Sequence, residues 1–231
     1  MNKTKIEWCT ATLNLVVGCS FGCPYCYAER INRRFHYVED FTRPEFFPDR
    51  LQQLRTRSPQ NIFLTSMSDP ADWRPEWIIQ VLDAIEANPQ HRYLFLSKRP
   101  EAYTSLFPLP EWRKTLKNIW YGTTVTRDID LHRIAELPLD GKRFVSFEPL
   151  LGPANPRRRP ITAAVPWIDW AIIGAETGPA AKRDRPARKW IDEIVAYCDE
   201  TGVPVFMKDS LLPIVGEEGM RRDFPAPLVI Y

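Results

Sequence analysis

Trp170-Ala171-Ile172-Ile173, then Gly174-Ala175-Glu176-Thr177-Gly178, then Arg188–Thr201, Gly202 and Val203-Pro204-Val205-Phe206-Met207 is the passage that decides the fold. The run Trp170–Ile173 is apolar at every position instead of alternating, the pattern of a parallel strand covered on both faces. In Arg188–Thr201 the apolar residues Ile191, Ile194, Val195 and Cys198 recur at helical spacing, and Gly202 supplies the stop. Val203–Met207 is a second apolar run. The passage therefore reads strand, loop, helix, strand.

Outward from it the same pattern recurs. Further β-prone runs lie at Leu13–Val17, Asn61–Thr65, Arg92–Leu96, Asn118–Val125 and Arg143–Phe147. Between them Pro75–Ala87 places Trp77, Ile78, Val81, Leu82 and Ile85 on one helical face, with Pro75 suited to the first turn. Tyr27–Phe35 and Asp128–Leu137 also read as helical. Repeated βα units joined by right-handed crossovers mean an α/β fold. Seven strands are too few for a complete eight-stranded barrel, so the expectation is a partial (β/α) barrel of about six or seven parallel strands. One domain is expected over residues 1–231, with an irregular proline-rich loop at 149–166 and a C-terminal extension at 209–231.

Composition sets the boundaries. The chain has 231 residues, 44% hydrophobic and 26% charged, which excludes a disordered tail, a collagen-like repeat and a coiled coil. Its net charge is +2, without the basic stripe of a dedicated sequence-independent DNA binder, and Arg157-Arg158-Arg159 is its one local excess. No apolar run approaches the roughly 18 residues of a membrane span, and Met1–Trp8 lacks the apolar stretch of a signal peptide. Five cysteines, an odd number in a chain of this size, argue against a secreted disulfide scaffold. The expectation is a cytoplasmic protein with reduced thiols and no membrane contact.

Polar residues gather where the runs end. The second run leads into Ser66-Met67-Ser68-Asp69, the third into Ser97-Lys98-Arg99, and the fourth contains Thr123-Thr124. The fifth leads to Glu148, the sixth to Glu176 between Gly174 and Gly178, and the seventh to Lys208-Asp209. In parallel α/β folds the carboxyl ends of the strands are where ligands bind. His91 and His132 read as surface groups, and Cys198, on an apolar helix face, as a core residue.

After the first run stands Gly18-Cys19-Ser20-Phe21-Gly22-Cys23-Pro24-Tyr25-Cys26-Tyr27-Ala28-Glu29, a C-x3-C-x2-C spacing. Three thiolates on a tight loop can ligate three irons of a 4Fe–4S cube and leave the fourth open to a ligand. Zinc competes, but a structural zinc site wants a fourth Cys or His. His36 is the nearest candidate and does not match the usual paired spacing, while Cys9 and Cys198 are remote in sequence.

With the aromatic Tyr25 before the last cysteine, this motif resembles that of radical S-adenosylmethionine (SAM) enzymes. Lys5–Trp8, Cys26–Arg30, Ser66–Asp69, Lys98-Arg99-Pro100, Phe147–Pro153 and Gly202-Val203-Pro204 are similar to a compact phage-associated radical SAM family, itself distantly similar to spore photoproduct lyase, which repairs a thymine dimer in DNA. Two departures stand out. Cys9 occupies a position where the family more often has Thr, and Ser66–Asp69 replaces the Gly-Gly-Glu run of larger radical SAM enzymes.

The resemblance implies that Cys19, Cys23 and Cys26 hold a 4Fe–4S cluster whose open iron binds SAM. An external electron donor would drive reductive cleavage of SAM to a 5′-deoxyadenosyl radical that abstracts hydrogen from a substrate. A nucleic-acid base or nucleotide is the first expectation for that substrate, in the manner of a lyase. The alternatives are a peptide or small metabolite, or a non-enzymatic iron–sulfur sensing module. Ser68 and Asp69 would meet the SAM ammonium, Lys98 its carboxylate, and Tyr25 the adenine or the cluster, with Ser66 and Thr123 as further cofactor-binding residues. Glu148, Glu176 and Lys208 would face the SAM ribose or the substrate.

Overall fold

The structure, a computed structural model, describes residues 2–106, 116–158, 168–178 and 185–229. The fold is α/β with parallel strands, a partial (β/α) barrel, as the strand pattern predicts. The chain divides into two compact units, Met1–Tyr121 and Gly122–Tyr231.

The first unit contains, in order, β1 (Asn2–Lys3), β2 (Ala11–Thr12), β3 (Val16–Val17), α1 (Tyr27–Phe35), β4 (Glu45–Phe46), β5 (Asn61–Phe63), α2 (Pro75–Glu86), β6 (Arg92–Ser97), α3 (Ala102–Leu106) and the start of β7 (Ile119–Thr124). Its strand order is β1-β2-β5-β6-β7. β1 is antiparallel to β2, whereas β2 pairs parallel with β5 and β5 with β6, setting Ala11 beside Ile62 and Phe63 beside Leu94. α2 starts at Pro75, whose missing N–H costs nothing in a first turn, and buries Ile78, Val81, Leu82 and Ile85. Each such aliphatic side chain contributes about 1.5–3 kcal/mol by leaving water.

The expected first strand, Leu13–Val17, needs correction. The parallel sheet takes Ala11–Thr12 instead, and Val16–Val17 pairs antiparallel with Glu45–Phe46 in a separate two-stranded sheet. The run is apolar because Leu13, Leu15, Val16 and Val17 are all buried. It is not extended throughout, because Leu15 N–H turns back to the Leu13 carbonyl at 3.1 Å.

The second unit holds the end of β7, β8 (Lys142–Phe147), β9 (Trp170–Ile173), α4 (Arg188–Thr201) and β10 (Val205–Met207), with strand order β7-β8-β9-β10. β8, β9 and β10 are parallel, with Val145 beside Ala171 and Ala171 beside Val205. Its core joins Val145, Phe147, Ile173 and Val205 to Ile191, Ile194 and Cys198 of α4, so Cys198 is the core residue its spacing suggests. The helical stretch expected at Asp128–Leu137 forms as a 3-10 helix, Asp128–Glu136. Its Asp130 carboxylate accepts the Thr126 N–H (2.9 Å) and O–H (2.6 Å).

His91 is also corrected. It is fully buried, its Nε2 lies 2.9 Å from the Leu54 carbonyl, and its ring meets Tyr93 edge-on. Burial lowers its pKa. His132 is exposed as expected.

Candidate cysteine-loop site

The loop carrying the three cysteines is stiffened at its entry. Gly18 adopts φ +115°, and a Cβ there would stand 2.8 Å from the Pro44 Cα. Only glycine permits that approach. The Gly18 N–H donates to the Met67 carbonyl (3.0 Å) and the Cys19 N–H to the Phe41 carbonyl (2.7 Å). The exit is equally defined. Cys26 is the N-cap of α1: its Sγ accepts the Glu29 N–H at 3.4 Å, satisfying one of the donors a helix start leaves open. The Cys19 Sγ accepts the Phe21 N–H at 3.5 Å.

Two side chains that the sequence reading gave no role brace the loop from outside. The Asp72 carboxylate accepts the Ser20 N–H (2.8 Å) and O–H (2.7 Å), and the Arg99 guanidinium pairs with it at 2.8 Å. Burial opposes ionisation of Asp72, but the Ser20 donors and Arg99 outweigh it and hold its carboxyl below the usual range. The signal in the sequence was Asp69-Pro70-Ala71-Asp72, a cap followed by proline, which begins the 3-10 helix Pro70–Asp72 and sets both carboxylates on one turn.

The expected site residues of this unit lie around the loop in distinct roles. Asp69 is buried and fully engaged: one oxygen accepts the Ala71 N–H (3.0 Å) and the Ser97 O–H (2.7 Å), the other the Lys98 N–H (2.9 Å). The Ser68 Oγ accepts the Trp73 indole N–H at 3.1 Å. Ser66 donates its hydroxyl to Asn14 Oδ1 (2.7 Å), and its carbonyl accepts the Tyr27 hydroxyl at 2.6 Å. The Lys98 ammonium stands 5.8 Å from the centre of the Tyr25 ring. Burial raises the Cys23 thiol pKa while Lys98 pulls it down, and burial pushes the Cys19 thiol up to about 12.

All five cysteines are free thiols, and among the described residues no three His, Cys, Asp or Glu side chains are gathered as a ready metal site. The donor set itself fits a soft metal: three thiols on one braced loop, two of whose sulfurs accept backbone N–H groups, the interaction a charged sulfur ligand also uses. Lys98 adds a positive charge beside the thiols.

The remaining expected residues belong to the second unit. Thr123 is buried within β7. Glu148 follows β8 and Lys208 follows β10, and the two form a half-buried ion pair. Gly174, after β9, makes room for it, since a Cβ there would stand 3.1 Å from the Glu148 Cδ and the Lys208 Cδ. Glu176 is half-buried two residues on. Arg157 pairs with Glu200 at 2.5 Å, while Arg159 and the rest of loop 149–166 beyond residue 158 lie outside the described residues. Among the described residues no helix is long and apolar enough to cross a membrane.

Residues 3–211 match the family model described as "Protein of unknown function (DUF5131)". No curated protein and no solved structure matches the chain.

Proposed function

The chain belongs to the DUF5131 family, and we propose that it is a radical SAM enzyme in which Cys19, Cys23 and Cys26 hold a 4Fe–4S cluster. The observation that carries this reading is the cysteine loop. Its C-x3-C-x2-C thiols sit on a backbone clamped at Gly18 and at the α1 cap, with two sulfurs already accepting N–H groups. When bound, such a cluster with SAM supplies the electron that cleaves the sulfonium and so a 5′-deoxyadenosyl radical for hydrogen abstraction.

The chain's own residues then divide the remaining work. Lys98 offers its ammonium to the SAM carboxylate, and Asp69 acts through it by gripping the Lys98 N–H. Ser68, whose Oγ accepts from Trp73, keeps a second lone pair to accept from the SAM ammonium. Tyr25 lays an aromatic face beside the Lys98 ammonium, which suits an adenine or the cluster edge. Asp72, Ser20 and Arg99 hold Cys19 in place. A nucleic-acid base or nucleotide remains the substrate we favour, on the resemblance to photoproduct lyase. Arg157 adds nothing to that argument, because its charge is paired with Glu200. The five free thiols support a location in a reducing cytoplasm.

Anaerobic reconstitution with iron and sulfide, followed by SAM and dithionite, tests the reading. A 4Fe–4S cluster and 5′-deoxyadenosine are expected. Protein that takes up zinc but no iron–sulfur cluster, or makes no 5′-deoxyadenosine, sinks it.

A further inference from the structure

The sheet of the second unit has an apolar face and a face whose polar groups are unspent. Val125, Val145, Phe147, Ile173, Val205 and Met207 all join the core on the α4 side. The residues alternating with them therefore face the other way. On that second face Phe144 lies across Gly122, where a Cβ would stand 2.3 Å from its ring, and its centroid is 6.1 Å from that of Trp170. These rings form the floor. The layer above is polar. The Val125 N–H donates to the Ser146 carbonyl, a parallel register that sets Thr124 beside Ser146. Both are 1% exposed, and the Thr124 hydroxyl has no hydrogen-bond partner among the described residues. A buried hydroxyl left unpaired costs stability, and a ligand that bonds it removes the cost.

Two residues beyond Ser146 on the same face, about 7 Å along the strand, stands the pair of Glu148 and Lys208. Their side chains are 22% and 16% exposed, so a ligand can reach them. The rim is held by backbone: Leu150 N–H donates to the Gly174 carbonyl (2.9 Å) and Ala175 N–H to the Ser210 hydroxyl (3.0 Å). Lys208 takes one Glu148 oxygen, Oε1. The other oxygen remains an acceptor, and the ammonium keeps two more N–H donors. As a unit the pair is neutral and selects no ion. An acceptor beside a donor matches a ligand that carries an N–H next to a C=O or a bare ring nitrogen on one edge. A trans peptide bond points the two groups to opposite sides. A cis-diol wants both oxygens of a carboxylate, and Lys208 already holds one. A flat ring fits the wall that Gly174 leaves open, where a Cβ would stand 3.1 Å from both side chains.

We propose that Glu148 and Lys208 read the pairing edge of a nucleobase, with the Thr124 hydroxyl beneath them taking a further polar atom of the ring. The inference deepens the nucleobase reading above and rests on it. That edge is spent on its partner in a duplex, so the substrate enters unpaired, as a nucleoside, a nucleotide or a base turned out of a strand.

Calorimetric titration of cluster-loaded protein with SAM, but no reductant, tests this with uridine, cytidine, inosine and adenosine. At least one should bind, and methylation on its pairing edge should weaken it about tenfold. For uridine the edge-blocked probe is 3-methyluridine, and 5-methyluridine, of equal size, should still bind. The double variant Glu148→Leu/Lys208→Met should lose the difference between these probes while keeping its iron and its melting midpoint. Displacement of the nucleoside by a short single strand, but not by its duplex, supports a base within a strand; displacement by neither supports a free nucleoside or nucleotide. Four nucleosides that all fail to bind overturn the proposal, as do equal affinities for the edge-blocked probe, displacement by duplex alone, or tighter binding of N-acetylglutamine. Edge-dependent binding in a protein that makes no 5′-deoxyadenosine with dithionite overturns the radical reading and leaves this site standing.

Discussion

Two clusters of buried or half-buried charge, one in each unit, are handled in opposite ways. In the first, Asp69 and Asp72 spend their oxygens on backbone N–H groups at Ala71, Lys98 and Ser20. In the second, Glu148 and Lys208 satisfy one another across Gly174. A carboxylate that grips backbone fixes the path of a loop. A carboxylate that grips an ammonium fixes only two side chains, and both can be exchanged together for apolar groups at little cost. The carboxylates beside the cysteine loop thus hold backbone in the region where the proposed cluster would bind.

Four changes would break or sharpen that contrast. The largest effect belongs to Cys23→Ala, which should abolish both iron uptake and 5′-deoxyadenosine, while Cys198→Ala keeps both; iron analysis and product chromatography decide. Next is Asp72→Ala, which strips the Ser20 N–H and O–H of their acceptor and leaves Arg99 without its counter-charge. It should cost roughly 2–3 kcal/mol in a denaturant titration and lower the iron bound per chain. Full iron loading by this variant would show that the brace does not serve the cysteines.

Lys208→Met should be milder, at about 1–3 kcal/mol for a carboxylate left half-buried, and adding Glu148→Leu should recover much of it. Failure of the double variant to recover would mean that this pair, too, positions backbone. The smallest effect is a slope. His91 has its folded pKa held below the free value by burial, so the unfolded chain binds its proton first. Stability is then full above the free histidine pKa and declines as pH falls below it. His91→Gln should flatten that decline, as read from melting midpoints between pH 5 and 7.

Much of the fold was legible because continuous apolar runs have one common cause, a strand buried on both faces. Trp170–Ile173 and Arg188–Thr201 lie where their patterns place them. Leu13–Val17 misled because burial and extension are separate properties, and a buried turn is as apolar as a buried strand. His91 was misread because nothing local announces a carbonyl acceptor 37 residues away at Leu54. At the site, the cysteine spacing was visible in the sequence, whereas the brace from Asp72 and Arg99 was not. Its contacts to Ser20 span 52 and 79 residues, beyond the reach of any local pattern.

One detail of the cysteine loop reaches further than its 3.4 Å suggests. Because the Cys26 sulfur is also the cap of α1, whatever happens at that atom is transmitted to the first turn of the helix. Oxygen damage or alkylation at Cys26 would fray the helix from its start, and occupancy of the sulfur by a metal would lock it. Amide hydrogen exchange at Glu29 thus becomes a gauge of the loop, readable without substrate, reductant or turnover.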